Sequence, residues 1–122
     1  MNGALRRTKK PMLTFKQGDV IKVPFPYTDC KTRRSRPALV VSSGKLEEFH
    51  GLLWVAMITS ARNRAWPNDI TALNLKQAGL PSPSVIRAVK IATIEAVDAS
   101  RIGSISPSQL KVVKEWISQE LD

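Results

Sequence analysis

The amino-acid sequence predicts a small, mainly β domain with one helix at its C-terminal end, a barrel that this helix plugs or flanks. Three observations carry that expectation. Short apolar and β-branched runs recur between Val20 and Val97, separated by turn residues and polar loops. A single clear amphipathic helix pattern follows Ser106 and Pro107. The chain of 122 residues fits one domain, and a domain of that size buries about two-thirds of its unfolded surface without needing staples.

Residues 1–14 read as a basic arm, expected to be flexible until it meets a partner, because Arg6, Arg7, Lys9 and Lys10 have no acid between them. The folded domain is expected over residues 15–122. Gly18-Asp19 is a turn signal, after which Ile21, Val23 and Phe25 alternate with Lys22 and Pro24 as in a half-buried strand. Pro24 has no N–H for a ladder, so this strand is expected at a sheet edge or irregular there. Tyr27 to Ser35 is too charged for a core and reads as a long loop. Pro37 to Val41 is a continuous apolar run, a strand buried on both faces, and Leu46 to His50 is read as one helical turn. Leu52 to Ile58 is a second buried strand, for which a dimer interface and the C-terminal helix are alternative covers. A polar loop from Ala61 to Asn68 precedes a weaker strand, Ile70 to Leu73, and a short helix, Leu75 to Ala78, ended by Gly79. Ser84 to Ile91 is a strand that Ile94 to Val97 continues, and Arg101 to Ile105 adds a short one. In the last helix Ser106 caps, Pro107 takes the first helical position and Gln109 stands where a capping box needs it. Leu110, Val113, Ile117 and Leu121 then form one apolar stripe, with Val112 and Trp116 on an adjoining face.

Nineteen Lys and Arg against ten Asp and Glu give a net charge of +9. Such a surface attracts polyanions, nucleic acid first and anionic membrane second; the bland reading is a solvated, self-repelling surface. Cys30 is the only cysteine, so no intrachain disulfide can form, which fits a reducing compartment. No apolar run approaches the roughly 20 residues of a membrane span, and the basic N-terminus lacks the apolar stretch of a secretory signal. A cytoplasmic protein without a membrane role is expected. The chain has no Cys/His cluster, no Walker motif, no GxGxxG and no GxSxG, so neither a metal nor a cofactor is expected. His50, the sole histidine, reads as a surface residue.

What remains is a positive constellation. Lys31, Arg33, Arg34 and Arg36 crowd one loop, and arginine's planar fork suits phosphate. Arg62, Arg64 and Trp66 form a second loop that mixes cations with an aromatic face able to stack an unpaired base, which favours a single strand over a duplex.

Several blocks in this order resemble the MazF/PemK toxins of type II toxin–antitoxin systems. They are Gly18-Asp19-Val20, Val23-Pro24-Phe25-Pro26-Tyr27-Thr28-Asp29, Arg36-Pro37-Ala38-Leu39-Val40-Val41-Ser42, Val55-Ala56-Met57-Ile58-Thr59-Ser60 and Ala78-Gly79-Leu80-Pro81-Ser82-Pro83-Ser84-Val85-Ile86-Arg87. The resemblance implies an SH3-like small β-barrel of the MazF/PemK/CcdB kind with a C-terminal helix. It also implies a homodimer with an RNA groove at or near the interface, and a cognate antitoxin that binds there. The implied reaction is metal-independent, sequence-specific cleavage of single-stranded RNA, in which the substrate's own 2′-OH attacks the adjacent phosphorus to leave a cyclic phosphate and a 5′-hydroxyl.

Carried over by position, Arg36 would neutralise charge on the phosphorane, Thr59 would hold a phosphate oxygen, and Arg87 would be a general acid or phosphate clamp. Lys31, Arg33, Arg34, Arg62, Arg64 and Trp66 are the expected RNA contacts. The sequence departs from the family at two places. Where PemK-like members often carry an aspartate two residues after the arginine, this chain has Val89, and the first loop reads Lys31-Thr32-Arg33 where some members place a glutamate. Residues two apart on a strand share a face, so Val89 is expected beside Arg87. Asp29 and Asp69 are then the candidate bases, and loss of acid–base help would cost roughly 10²- to 10⁴-fold in rate. A non-catalytic or impaired RNA-binding module on the same barrel is the alternative. A toxin aimed at a protein such as a gyrase is a third, which the scarcity of acids in the basic loops disfavours.

Overall fold

The computed structural model describes residues 14–24 and 35–122. The expected arm up to residue 13, Phe25 and most of the first basic loop, with Asp29, Lys31, Arg33 and Arg34, lie outside the described residues. The strands are β1 (Asp19–Pro24), β2 (Ser35–Val40), β3 (Leu52–Ser60), β4 (Ile70–Thr71), β5 (Ser84–Glu95) and β6 (Ser100–Ser104). The helices are α1 (Gly44–His50), α2 (Leu75–Ala78) and α3 (Pro107–Leu121), with a 3₁₀ turn at Ala96–Asp98. The six strands form one antiparallel sheet in the order β4-β5-β3-β2-β1-β6, curled into a half-barrel that stays open between β4 and β6.

The sheet is buried on both faces, as the continuous apolar runs foretold. One face packs Phe15, Ile21, Val23, Ala38, Val40, Leu53, Val55 and Met57 inside the curl. The other packs Val20, Leu39, Ala56, Ile58, Ile86 and Ile105 beneath α2 and α3, with Val113 fully buried. The C-terminal helix is therefore what covers the outer side of Ala56 and Ile58. Trp54, on the same strand, is left 50% exposed.

Two expectations are corrected. Strand β1 is not an edge strand: it lies between β2 and β6. The last β6 partner on β1 is Lys22, which faces Ser100, so Pro24 runs past β6 and its missing N–H breaks no bond on that side. Asp19 fixes this junction. Its buried carboxylate accepts from Nε of Arg101 at 3.1 Å and from the Lys16 N–H at 3.0 Å. The second correction concerns Gln109. Ser106 does cap α3, accepting from the Gln109 N–H, but the Gln109 side chain does not reach back to complete a box. It instead accepts from the Leu73 N–H and donates to the Thr71 carbonyl, tying β4 to the helix.

Helix α1 is capped by Ser43, which accepts from the Lys45 N–H, and stopped by Gly51 in the left-handed region. Helix α2 is capped by Asn74 and stopped by Gly79 (φ 72°). Gly79 meets a second demand, because a Cβ there would lie 2.1 Å from the Ile102 carbonyl oxygen of β6. Only glycine lets the chain after α2 press onto β6 so closely.

Candidate functional site

The pairing register places three of the candidate site residues toward one end of three adjacent strands. Ala38 of β2 pairs with Met57 of β3, which in turn pairs with Arg87 of β5. Two residues beyond that row, on the same face by strand alternation, come Arg36 on β2 and Thr59 on β3. Arg36 and Thr59 thus fall opposite each other across β2 and β3, while Thr59 and Arg87 are diagonal neighbours across β3 and β5, a relation that sets Cα atoms about 7–8 Å apart.

Arg36 and Thr59 share the wall of a cavity of about 550 Å³, to which Lys22, Ser60 and Asn63 also contribute. Arg36 is half-buried, and its Nε has no hydrogen-bond partner among the described residues. A buried donor left open in this way is a place for an external acceptor. The Thr59 hydroxyl accepts from the Asn63 side-chain amide. No carboxylate lines this cavity among the described residues.

Arg87 is close by but enclosed. It is 9% exposed, and its Nη2 donates to the carbonyl of Arg64. Its guanidinium lies 4.5 Å from the centroid of Trp66, a cation–π arrangement. Its Nε stands 3.4 Å from Oδ1 of Asp69. That contact is an ion pair by distance but not a hydrogen bond, since both atoms are buried without a hydrogen-bond partner. Asp69 Oδ2, by contrast, accepts from the Trp66 N–H at 2.9 Å.

Val89 does not stand beside Arg87 as strand alternation predicted. The β3–β5 register jumps from Ala56–Ile91 to Met57–Arg87, so Ala88, Val89 and Lys90 bulge out of the ladder. Val89 is 40% exposed, and Lys90 is turned toward Trp66, its Nζ 5.5 Å from the ring centroid. The structure thus brings Arg36 with Thr59, and Arg87 with Trp66 and Asp69. Arg62 and Arg64 are exposed on the joining loop. Sequence reasoning missed Lys22, Asn63 and Lys90. Lys22 had a signal, as the polar member between Ile21 and Val23; Asn63 and Lys90 had none, because their partners depend on the loop's path and on the bulge.

Among the described residues no three His, Cys, Asp or Glu side chains cluster as a metal site requires. None of the described helices is long and apolar enough to cross a membrane. A second cavity, about 510 Å³, is apolar in character, bordered by Leu46, Phe49, Trp54, Ile117 and Leu121.

Comparison with known proteins places these features. Residues 16–121 match the family model of the PemK-like, MazF-like toxin of type II toxin-antitoxin systems. A search of curated proteins gave no significant match. Among solved structures, a MazE–MazF crystal structure from Deinococcus radiodurans (Form III) is 22% identical, covers 93% of this chain and 97% of its own, and has a TM-score of 0.71. The Mycobacterium tuberculosis toxin MazF-mt6 is also 22% identical, covering 85% and 96%, with a TM-score of 0.66. An endoribonuclease in complex with its cognate antitoxin from a mycobacterial species is 16% identical, covering 88% and 95%, with a TM-score of 0.69. At these identities the structural matches establish the shared fold.

Proposed function

The chain belongs to the PemK-like, MazF-like toxins of type II toxin–antitoxin systems, and from that premise we propose that it is a cytoplasmic endoribonuclease that cuts single-stranded RNA by attack of the 2′-OH on the adjacent phosphorus. The observation that carries the reading is the alignment of Arg36, Thr59 and Arg87 on one face at one end of β2, β3 and β5. In this proposal Arg36 neutralises the charge that builds on the non-bridging oxygens. The Thr59 hydroxyl holds one of those oxygens, and Arg87 clamps the phosphate or donates a proton to the leaving 5′-oxygen. Lys22, Arg62 and Arg64 hold neighbouring phosphates, together with Lys31, Arg33 and Arg34 of the first basic loop. Asp69 is the carboxylate within reach of Arg87 and the candidate to accept the 2′-OH proton; Asp29, the other candidate, lies outside the described residues.

A cognate antitoxin is proposed as the protein partner, in keeping with the toxin–antitoxin complexes among the structural matches. A homodimer is proposed as well. Its surface would be the apolar groove, where Phe49, Trp54 and Leu121 are 70%, 50% and 80% exposed, because side chains of that size left in water mark an interface.

A second reading, an RNA-binding module with little or no catalysis, has an observation behind it: the cavity of Arg36 and Thr59 is lined by no carboxylate among the described residues. One experiment separates the two. A long single-stranded RNA is incubated with the protein in EDTA beside Arg36→Ala and Thr59→Ala, and the cut ends are mapped. Site-specific cuts bearing 5′-hydroxyls, lost in the variants, support the nuclease. Intact RNA at saturating protein, with salt-sensitive binding, supports the binding module, and equal cutting by all three proteins sinks the assignment of the site.

A further inference from the structure

We propose that residues 61–69 are a lid that holds Arg87 closed in the free protein, with Trp66 and Asp69 as its latch, and that a single-stranded nucleic-acid phosphate opens it by taking Arg87 from Asp69. The inference rests on the polyanion reading of the site and adds how substrate gains access to it.

Among the described residues, the hydrogen bond, the cation–π contact and the ion pair of the Arg87 guanidinium all come from this one segment: the Arg64 carbonyl, the Trp66 ring and the Asp69 carboxylate. The segment itself has little else to hold it. Residues 61–68 are all exposed, and none of the segment enters either core cluster. Its root is tied by the Ala61 N–H to the Pro83 carbonyl and the Asn63 N–H to the Ser60 carbonyl. Segments with few buried apolar contacts open locally at low cost.

The latch is also imperfect in a way that favours exchange. Nε of Arg87 and Oδ1 of Asp69 face each other at 3.4 Å without a hydrogen bond. A phosphate presents two oxygens in the geometry that a guanidinium fork accepts, and so satisfies donors that Asp69 leaves open. Asn63 and Arg64 are consecutive, and they occupy the Thr59 hydroxyl and the Arg87 guanidinium respectively. Lifting this stretch frees both groups together. It also releases the face of Trp66 from Arg87, leaving the ring available to stack an unpaired base. Closure lowers apparent affinity by the fraction of molecules that are open.

Two measurements test this. First, arginine modification by phenylglyoxal is mapped by mass spectrometry. Arg87 of the wild type is expected to react about tenfold more slowly than exposed Arg62, and both Trp66→Ala and Asp69→Asn are expected to remove that protection. Second, binding of an all-2′-deoxy, uncleavable single-stranded oligonucleotide is compared for Asp69→Asn and Asp98→Asn. The two make the same change of charge, but Asp98 is exposed on the 3₁₀ turn. Asp69→Asn is expected to tighten binding about three- to tenfold and Asp98→Asn less than about twofold. Arg87 reacting as fast as Arg62 in the wild type, or Asp69→Asn binding no more tightly than Asp98→Asn, overturns the lid. Weaker binding by Asp69→Asn also overturns it and makes Asp69 a working group of the site. A wild type that binds the oligonucleotide but cuts no RNA, while Arg87 stays protected and is released in both variants, upholds the lid and sinks the nuclease reading; one that binds no oligonucleotide overturns the opening by nucleic acid even where the latch itself is seen.

Discussion

Arg36 and Thr59 stand on neighbouring strands, each two residues beyond the Ala38–Met57 pair, and share the wall of one cavity. The rigid ladder sets their spacing, so a transition state that fits between them meets groups that need not reorganise. Arg36→Ala is expected to lower single-turnover cleavage of single-stranded RNA about 10²- to 10³-fold with the fold unchanged. Arg36→Lys should recover only part of the loss, because an ammonium keeps the charge but not the planar fork. Full activity in the lysine variant would mean that charge alone is used.

The two glycines that end α1 and α2 make a matched comparison. Gly51 and Gly79 have φ of 68° and 72°, but a Cβ on Gly51 meets nothing within 4 Å, whereas one on Gly79 runs into Ile102 of β6. Gly51→Ala should cost about 1 kcal/mol, the conformational strain alone. Gly79→Ala should cost at least about 2 kcal/mol more, since the obstacle is backbone and cannot turn away. Chemical denaturation of the two variants checks the order.

Arg62, exposed beside the cavity, is expected to contribute through charge. Arg62→Ala should weaken binding of uncleavable single strands about equally for all sequences. It should also make the slope of log K against log salt shallower by about 0.7, the loss of one phosphate contact. An unchanged slope would remove Arg62 from the RNA path.

Trp54 sits on a buried strand yet is 50% exposed at the apolar groove. If a second copy covers it, Trp54→Glu should shift the sedimentation equilibrium toward monomer, by at least about tenfold in dissociation constant, for a desolvated charge in an interface. A wild type that is already monomeric at high concentration would leave the groove to the antitoxin.

Much of this architecture was legible because burial writes itself into sequence. The runs Pro37–Val41 and Leu52–Ile58 announced strands covered on both faces, and Ser106-Pro107 marked the start of α3. Arg36 and Thr59 were identified from local blocks, and they meet because the blocks end strands that pair. The bulge at Ala88–Lys90 was not legible, since neither alternating face of this strand is cleanly apolar in sequence and no glycine flags the break. Nor was the return of residues 61–69 onto Arg87. Charge complementarity says that an arginine will find a carboxylate, but only the path of the chain selects Asp69. Gln109 was assigned to a helix cap because capping is local, while its actual partners, Thr71 and Leu73, are fixed by tertiary packing.

Strand β1 is paired on one side with β6, and Asp19 binds Arg101 across 82 residues of chain. Bringing such distant segments together costs loop entropy before any contact offsets it, so β1, which pairs with the nearby β2, gains β6 late. During synthesis the ribosome releases β2, β3 and β5 before β6, and Asp19 has no counter-ion until Arg101 emerges. The completed sheet is thus a product of the nearly finished chain, and a nascent copy, still threaded through the ribosome, carries Arg36 on a strand whose other neighbour is not yet locked in place.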